Sequence, residues 1–166
     1  MSAETKPLRY RKKRERGSTL IEFALTILPL LALLMLTLDV AWVIFAWASL
    51  HEAVRAGVRQ AITGQIPAGY NGQDAYIQAV VQQHSFGFVN ADNVASVVKI
   101  YYYSPTTMTD ITSQPNSNAG GNVVKIAIQG IAINPMAPLW RSSSPLTLSA
   151  SSSDVMEPTP NGPPQR

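Results

Sequence analysis

From Leu20 to Leu50 the chain runs for thirty-one residues with only two charged side chains, Glu22 and Asp39. Phe23–Leu38 and Val40–Leu50 carry no charge at all. A bilayer core takes about 20 helical residues to cross. Leu30-Leu31-Ala32-Leu33-Leu34-Met35-Leu36 has none of the alternation of a strand, so the run reads as a helix, with its membrane-spanning half at about residues 20–45. Charged residues make up 14% of the whole chain, against about 25% for an ordinary soluble domain.

The charge that is present is placed asymmetrically. Residues 1–16 hold seven basic side chains (Lys6, Arg9, Arg11, Lys12, Lys13, Arg14 and Arg16) against Glu4 and Glu15. The remainder, 17–166, holds six basic and eight acidic residues and is mildly acidic on its own. A dense basic run followed directly by an apolar helix reads as a membrane-proximal leader and not as a nucleic-acid site. By the positive-inside rule it stays in the cytoplasm, which places the rest of the chain outside. Trp42 and Trp47 then fall near the outer end of the span, where amphipathic rings favour the headgroup layer.

The helix is expected to continue beyond the membrane. Val40, Val43, Ile44, Trp47, Leu50, Val54, Val58, Ala61 and Ile62 recur every three or four residues, while Glu52, Arg55, Arg59 and Gln60 fall mostly elsewhere. Gly64 and Pro67 supply a stop. A helix over residues 18–64 is far longer than a bilayer is thick, so its outer half must pack on its own domain or on neighbours. Residues 65–150 read as a small domain. A short helix spans Asp74–Gln83. Strands cover Val94–Tyr103 (Val98, Ile100 and Tyr102 on one face), Val123–Ile133 (Val124, Ile126 and Ile128 on one face) and Leu146–Ala150. Residues 151–166, with Pro158, Pro160, Pro163 and Pro164, read as a disordered tail. The expected fold is α+β: a long N-terminal membrane-spanning helix running into a small antiparallel sheet domain outside the membrane.

Catalytic chemistry finds little support. The chain has no cysteine and two histidines, which removes disulfides, thiolate nucleophiles and sulfur-ligated zinc. There is no phosphate-binding glycine loop and no metal-ligand spacing, so no metal, cofactor or small-molecule substrate is expected. His84 with Asp74 or Asp92 is a chance grouping, and Tyr101-Tyr102-Tyr103 is a strand with one face buried.

The junction between leader and helix is more informative. The basic run ends at Gly17, Ser18 follows, and Glu22 stands five residues after Gly17 at the edge of the apolar run. This resembles the processing site of type IV prepilins. Glu22-Phe23-Ala24-Leu25 with Pro29, and Arg55-Ala56-Gly57-Val58-Arg59 at the far end of the helix, are similar more specifically to the TadE family of tight-adherence (Flp) pilus proteins. The resemblance covers residues 14–64. It implies a pilin-like fold, cleavage between Gly17 and Ser18 by the prepilin peptidase, an assembly and processing role for Glu22, and other pilins or pseudopilins as partners.

The residues support parts of this independently. Gly17, without a side chain, lets an extended backbone enter a narrow protease site. A carboxylate within an apolar membrane run is expensive and usually functional. After cleavage the new Ser18 ammonium gives a neighbour's Glu22 something to pair with. Locally, Thr19-Leu20-Ile21-Glu22 also has the form of a capping box. Gly57 weakens a helix interior by about 1 kcal/mol relative to alanine, which a close helix approach offsets, with Arg55 and Arg59 beside it as further packing residues. Asp39 reads as the outer boundary of the span or as a subunit contact. Two other readings stand beside the minor pilin: an uncleaved single-pass anchor carrying a scaffold domain, and a secreted domain cut after Ala46-Trp47-Ala48. The third is weakened by an apolar region longer than the 7–15 residues typical of a signal peptide.

Overall fold

The computed structural model describes residues 15–134, 145–160 and 162–166. Most of the basic leader therefore lies outside the described residues. Helix α1 runs unbroken from Glu15 to Thr63, about 74 Å at 1.5 Å per residue, and continues through Pro29. It carries a segment apolar enough to cross a membrane, with a mean hydropathy of 2.4. From Ser18 to Leu38 no side chain is buried; Asp39 is the first that is. The bare stretch is about 32 Å long, close to the roughly 30 Å of a hydrocarbon core. The hydroxyls of Thr26 and Thr37 are turned inward, donating to the Glu22 and Leu34 carbonyls, so neither presents an unsatisfied donor to lipid.

Above Asp39 one face of α1 becomes the core of the head. Ala46, Leu50, Ala53, Val54, Val58 and Ala61 are buried at the three- and four-residue spacing of a single helical stripe. They pack against helix α2 (Gln73–His84), through Ile77 and Val81, and against a three-stranded antiparallel sheet. The strands β1 (Val98–Tyr103), β2 (Val123–Ile133) and β3 (Leu146–Val155) lie in the order β1-β2-β3. Val98 pairs with Ile128 and Tyr103 with Val123; Val123 pairs with Val155 and Ile133 with Leu146.

A register shift between Ile128 and Ile131 inserts one extra residue on β2, with Gly130 at φ 74°. Side chains alternate strictly along a strand, so without the bulge Ile131 and Ile133 would face outward. With it, Val124, Ile126 and Ile128 before the shift and Ile131 and Ile133 after it are all buried.

Three expectations need correction. Val94–Val97 forms a single helical turn, α3, and not the start of β1: Val94 and Val97 donate backbone bonds to Asn90 and Asn93, local partners that a lone strand end lacks. Strand β3 runs on to Val155 through Ser151-Ser152-Ser153-Asp154, whose backbones pair with β2 although their side chains carry no apolar signal. The segment after it, expected as a disordered tail, is a strap across the head. Met156 is buried, and the Glu157 amide donates to the Ile62 carbonyl of α1 at 3.1 Å.

The end of α1 is closed by neighbours. Gly64, at φ 61°, donates to the Ala61 carbonyl at 3.2 Å, and the buried Gln73 side chain donates to the same oxygen at 2.8 Å. These contacts and the Glu157 amide occupy carbonyls that a helix end otherwise leaves unpaired.

Candidate functional site

The residues singled out in the sequence lie at the two ends of α1 and do not converge. Glu22 and Gly57 are thirty-five positions apart on one helix, about 52 Å. Gly17 and Ser18 are in its first turn, which begins at Glu15. Thr19 is consequently inside the helix, four residues past its first, so Thr19-Leu20-Ile21-Glu22 is not a capping box in this chain. Glu22 is exposed on the bare part of the helix, flanked by the exposed Ile21 and Phe23. Its backbone carbonyl accepts from Thr26, and its side chain is open to whatever surrounds the helix.

At the other end, Gly57 is a contact point. A Cβ built there would stand 2.7 Å from Val81 Cγ2 and 3.1 Å from Ile126 Cδ1. The close approach that offsets a glycine in a helix is therefore made inside the head, to α2 and β2. Arg55 and Arg59 take no part in it. Both are exposed, and Arg59 lines, with Glu52 and His84, a groove of about 340 Å³ between α1 and α2. Asp39 is buried, 3% exposed, and is not without a partner. It marks where the head begins to cover α1. Ala46, Ser49 and Leu50 are also buried within α1, so a cut after Ala48 would divide the helix where it is packed.

One polar centre left no trace in the residue pattern. The Arg166 guanidinium donates to Asp74 Oδ2 from Nε at 3.0 Å and from Nη2 at 2.9 Å. Its Nη1 donates to Ser117 Oγ at 2.7 Å and to the Thr112 carbonyl, and its Cζ stands over the Tyr102 ring, 4.6 Å from the ring centre. Tyr102 donates its hydroxyl to Asp74 Oδ1 at 2.7 Å. Burial pushes the Tyr102 hydroxyl well above the usual phenol range, the Asp74 charge and hydrogen bond add to the shift, and Arg166 opposes it. Asn118 bridges Gln73 Oε1 at 2.6 Å and the Pro164 carbonyl at 2.7 Å. The arrangement is a structural clasp: every strong donor and acceptor is engaged within the chain. Asp74 and Arg166 are ninety-two residues apart, a pairing that no local pattern announces.

His84 stands with Glu52 and Arg59 and not with Asp74 or Asp92. Among the described residues no three His, Asp or Glu side chains gather as metal ligands. Tyr102 is buried while Tyr101 and Tyr103 are partly exposed, as a strand with one covered face requires.

Residues 17–59 match the model of a family described as TadE-like protein. No curated protein and no solved structure matches the chain. The matching segment starts at Gly17, takes in Glu22 and the whole bare helix, and ends at Arg59, two residues past the glycine contact with α2 and β2.

Proposed function

We propose that this chain, TadE-like over residues 17–59, is a minor pilin or pseudopilin of a tight-adherence (Flp) pilus system: a structural subunit, not an enzyme. It is inserted once through the cytoplasmic membrane, with the basic leader inside and the head of residues 65–166 outside. The prepilin peptidase removes residues 1–17, and the mature chain assembles with other pilins through the membrane half of α1. The observation that carries this reading is the exposed Glu22 on an otherwise apolar helix surface, five residues after Gly17. An exposed carboxylate at the edge of a hydrocarbon-length bare helix is costly for a chain that stays alone in lipid. It suits a subunit whose neighbour brings a positive charge, and cleavage creates that charge as the Ser18 ammonium. Because α1 includes Gly17, cleavage needs its first turn to open, as helix ends do readily.

N-terminal mass spectrometry of the membrane-extracted protein, made with and without the prepilin peptidase, tests the reading. The expected mature chain starts at Ser18, and only with the peptidase present. An intact N-terminus in both samples selects the uncleaved anchor, and a start at Ser49 selects secretion by signal peptidase.

A further inference from the structure

The head touches α1 just above the bare segment through a turn that displays an aromatic ring outward. Residues 85–88 link α2 to the rest of the head. Ser85 is fully buried; its hydroxyl donates to the Gln82 carbonyl at 2.8 Å and accepts from the Val89 amide at 3.1 Å, and the Phe88 amide donates to the Ser85 carbonyl at 3.1 Å. These bonds fix the turn. Within it Phe86 adopts φ 52°, a left-handed conformation that costs an L-residue about 1–2 kcal/mol, and its side chain is 71% exposed. A rigid, strained turn thus holds a phenyl ring in the open.

The ring is not isolated. Phe86 packs edge-on to Phe45 of α1 at 5.8 Å between centroids, and Phe88 lies 5.7 Å from Trp42 and 6.3 Å from Phe45. Trp42, Phe45 and Phe86 are all exposed, and the turn Ser85–Val89 carries no charge. Height along α1 says what meets this patch. If the bare segment fills the hydrocarbon, Asp39 marks its edge. Trp42 then stands about 4.5 Å above it, inside the ~5–8 Å headgroup layer on that side, and Phe45 about 9 Å above it, at that layer's outer limit.

We propose that residues 85–88 are a second membrane contact: Phe86, seated with Trp42 and Phe45 in the headgroup layer of the leaflet on the head's side, sets the height and tilt of the head on the bilayer. This rests on α1 spanning the membrane. The patch is continuous with the spanning segment and contains the tryptophan and uncharged surface that interfacial anchors favour, which selects lipid over a second protein surface as the occupant.

The chain has no cysteine, so single-cysteine variants can each carry one fluorophore. The full chain is reconstituted in phosphatidylcholine–phosphatidylglycerol vesicles with nitroxide lipids, and the label is placed at Gln83→Cys beside the turn, at Leu31→Cys in mid-span, or at Gln65→Cys beyond the far end of α1. The expected result is strong quenching at 31 by nitroxides deep in the chains, clear loss of emission at 83 with nitroxides near the headgroup, and none at 65. Adding Phe86→Asp should abolish the quenching at 83, and Phe86→Leu should retain it. Quenching at 31 with none at 83 overturns the proposal while the spanning helix stands. No quenching at 31 overturns the spanning reading itself. Shielding at 83 that rises with protein concentration, without nitroxide quenching, assigns the patch to a second copy and also overturns the proposal.

Discussion

Arg166 and Asp74 meet in a two-pronged contact, Nε and Nη2 of the one on Oδ2 of the other, that ties the strap to the first turn of α2. The other carboxylate oxygen receives the Tyr102 hydroxyl. One carboxylate therefore joins α2, β1 and the strap. Its position at a helix N-terminus adds a favourable interaction with the helix dipole.

Arg166→Ala should loosen the strap and destabilise the head by about 1.5–3 kcal/mol, the range for hydrogen bonds to charged groups. The pair is about a quarter exposed, at 27% and 28%, so the lower half of that range is expected. Arg166→Lys should recover only part of the loss, because an ammonium cannot reproduce the planar fork. Urea unfolding of the detergent-solubilised chain, followed by tryptophan emission, measures both.

Tyr102 gives the head an alkaline weakness. Its ionisation is raised in the folded chain, so above the ordinary phenol value of about 10 the unfolded chain releases a proton that the folded chain keeps. Stability should be unaffected by this group below pH ~10 and should fall above it, by up to about 1.4 kcal/mol per pH unit. Tyr102→Phe should be less stable than the parent at neutral pH, having lost the bond to Asp74, yet lose less on going from pH 9 to about 11. Equal slopes for the two proteins would refute this.

Gly57→Ala sets two effects against each other. Alanine gains about 1 kcal/mol in helix propensity, but its Cβ would press on Val81 Cγ2 at 2.7 Å and Ile126 Cδ1 at 3.1 Å. Overpacking a tight core costs about 1–3 kcal/mol, and Val81 is a stiff, fully buried side chain. A net loss is expected, larger for Gly57→Val. The Gly57→Ala/Val81→Ala double variant should be more stable than the sum of the single changes allows, a coupling that a double-mutant cycle reads directly.

Glu22→Ala should leave membrane insertion and cleavage after Gly17 largely intact and impair assembly with partner pilins. Losing one partner of a desolvated ion pair costs about 3–5 kcal/mol, whereas losing a single polar contact within its own stretch of helix costs about 0.5–1.5 kcal/mol. Co-purification of the processed variant with its partners, beside Thr19→Ala, separates the two. Equal and slight weakening would leave only a local role for Glu22. A further check is Gly17→Val, which should accumulate as an uncut precursor that still inserts.

The parts of the fold that could be read in advance are those with a repeating chemical signal. The Leu20–Leu50 run and the alternation of Val124, Ile126 and Ile128 each fix an element by period, and each element is where it was expected; the stripe on α1 was legible only from Leu50 on, because Val40, Ile44 and Trp47 of the expected stripe are exposed while Ala46 and Ala53, outside it, are buried. The failures have physical reasons. Ser151–Asp154 pairs through backbone alone, so its composition resembles a loop. Val94–Val97 has β-branched residues but only local hydrogen-bond partners. The strap is held by single long-range contacts such as Arg166 to Asp74 and Glu157 to Ile62, and isolated contacts leave no period. At the site, the Gly17–Glu22 spacing was evident because it is local. That Gly57 meets α2 and β2 was not, since any partner would satisfy a small residue on a helix.

The bare segment and the buried stripe belong to one uninterrupted helix, and this gives the molecule a mechanical property. A pull applied near Glu22 meets one gap in the backbone ladder, at Pro29, which has no amide to donate. It travels along the hydrogen-bonded rod into Leu50, Val54 and Val58, the residues on which the sheet and α2 are seated. Extraction from a membrane would therefore move the head and the part of α1 above Pro29 as a single stiff body. The load would fall on the interlocked faces of the core, with the strap across the end of α1 acting as a brace against the rod sliding out.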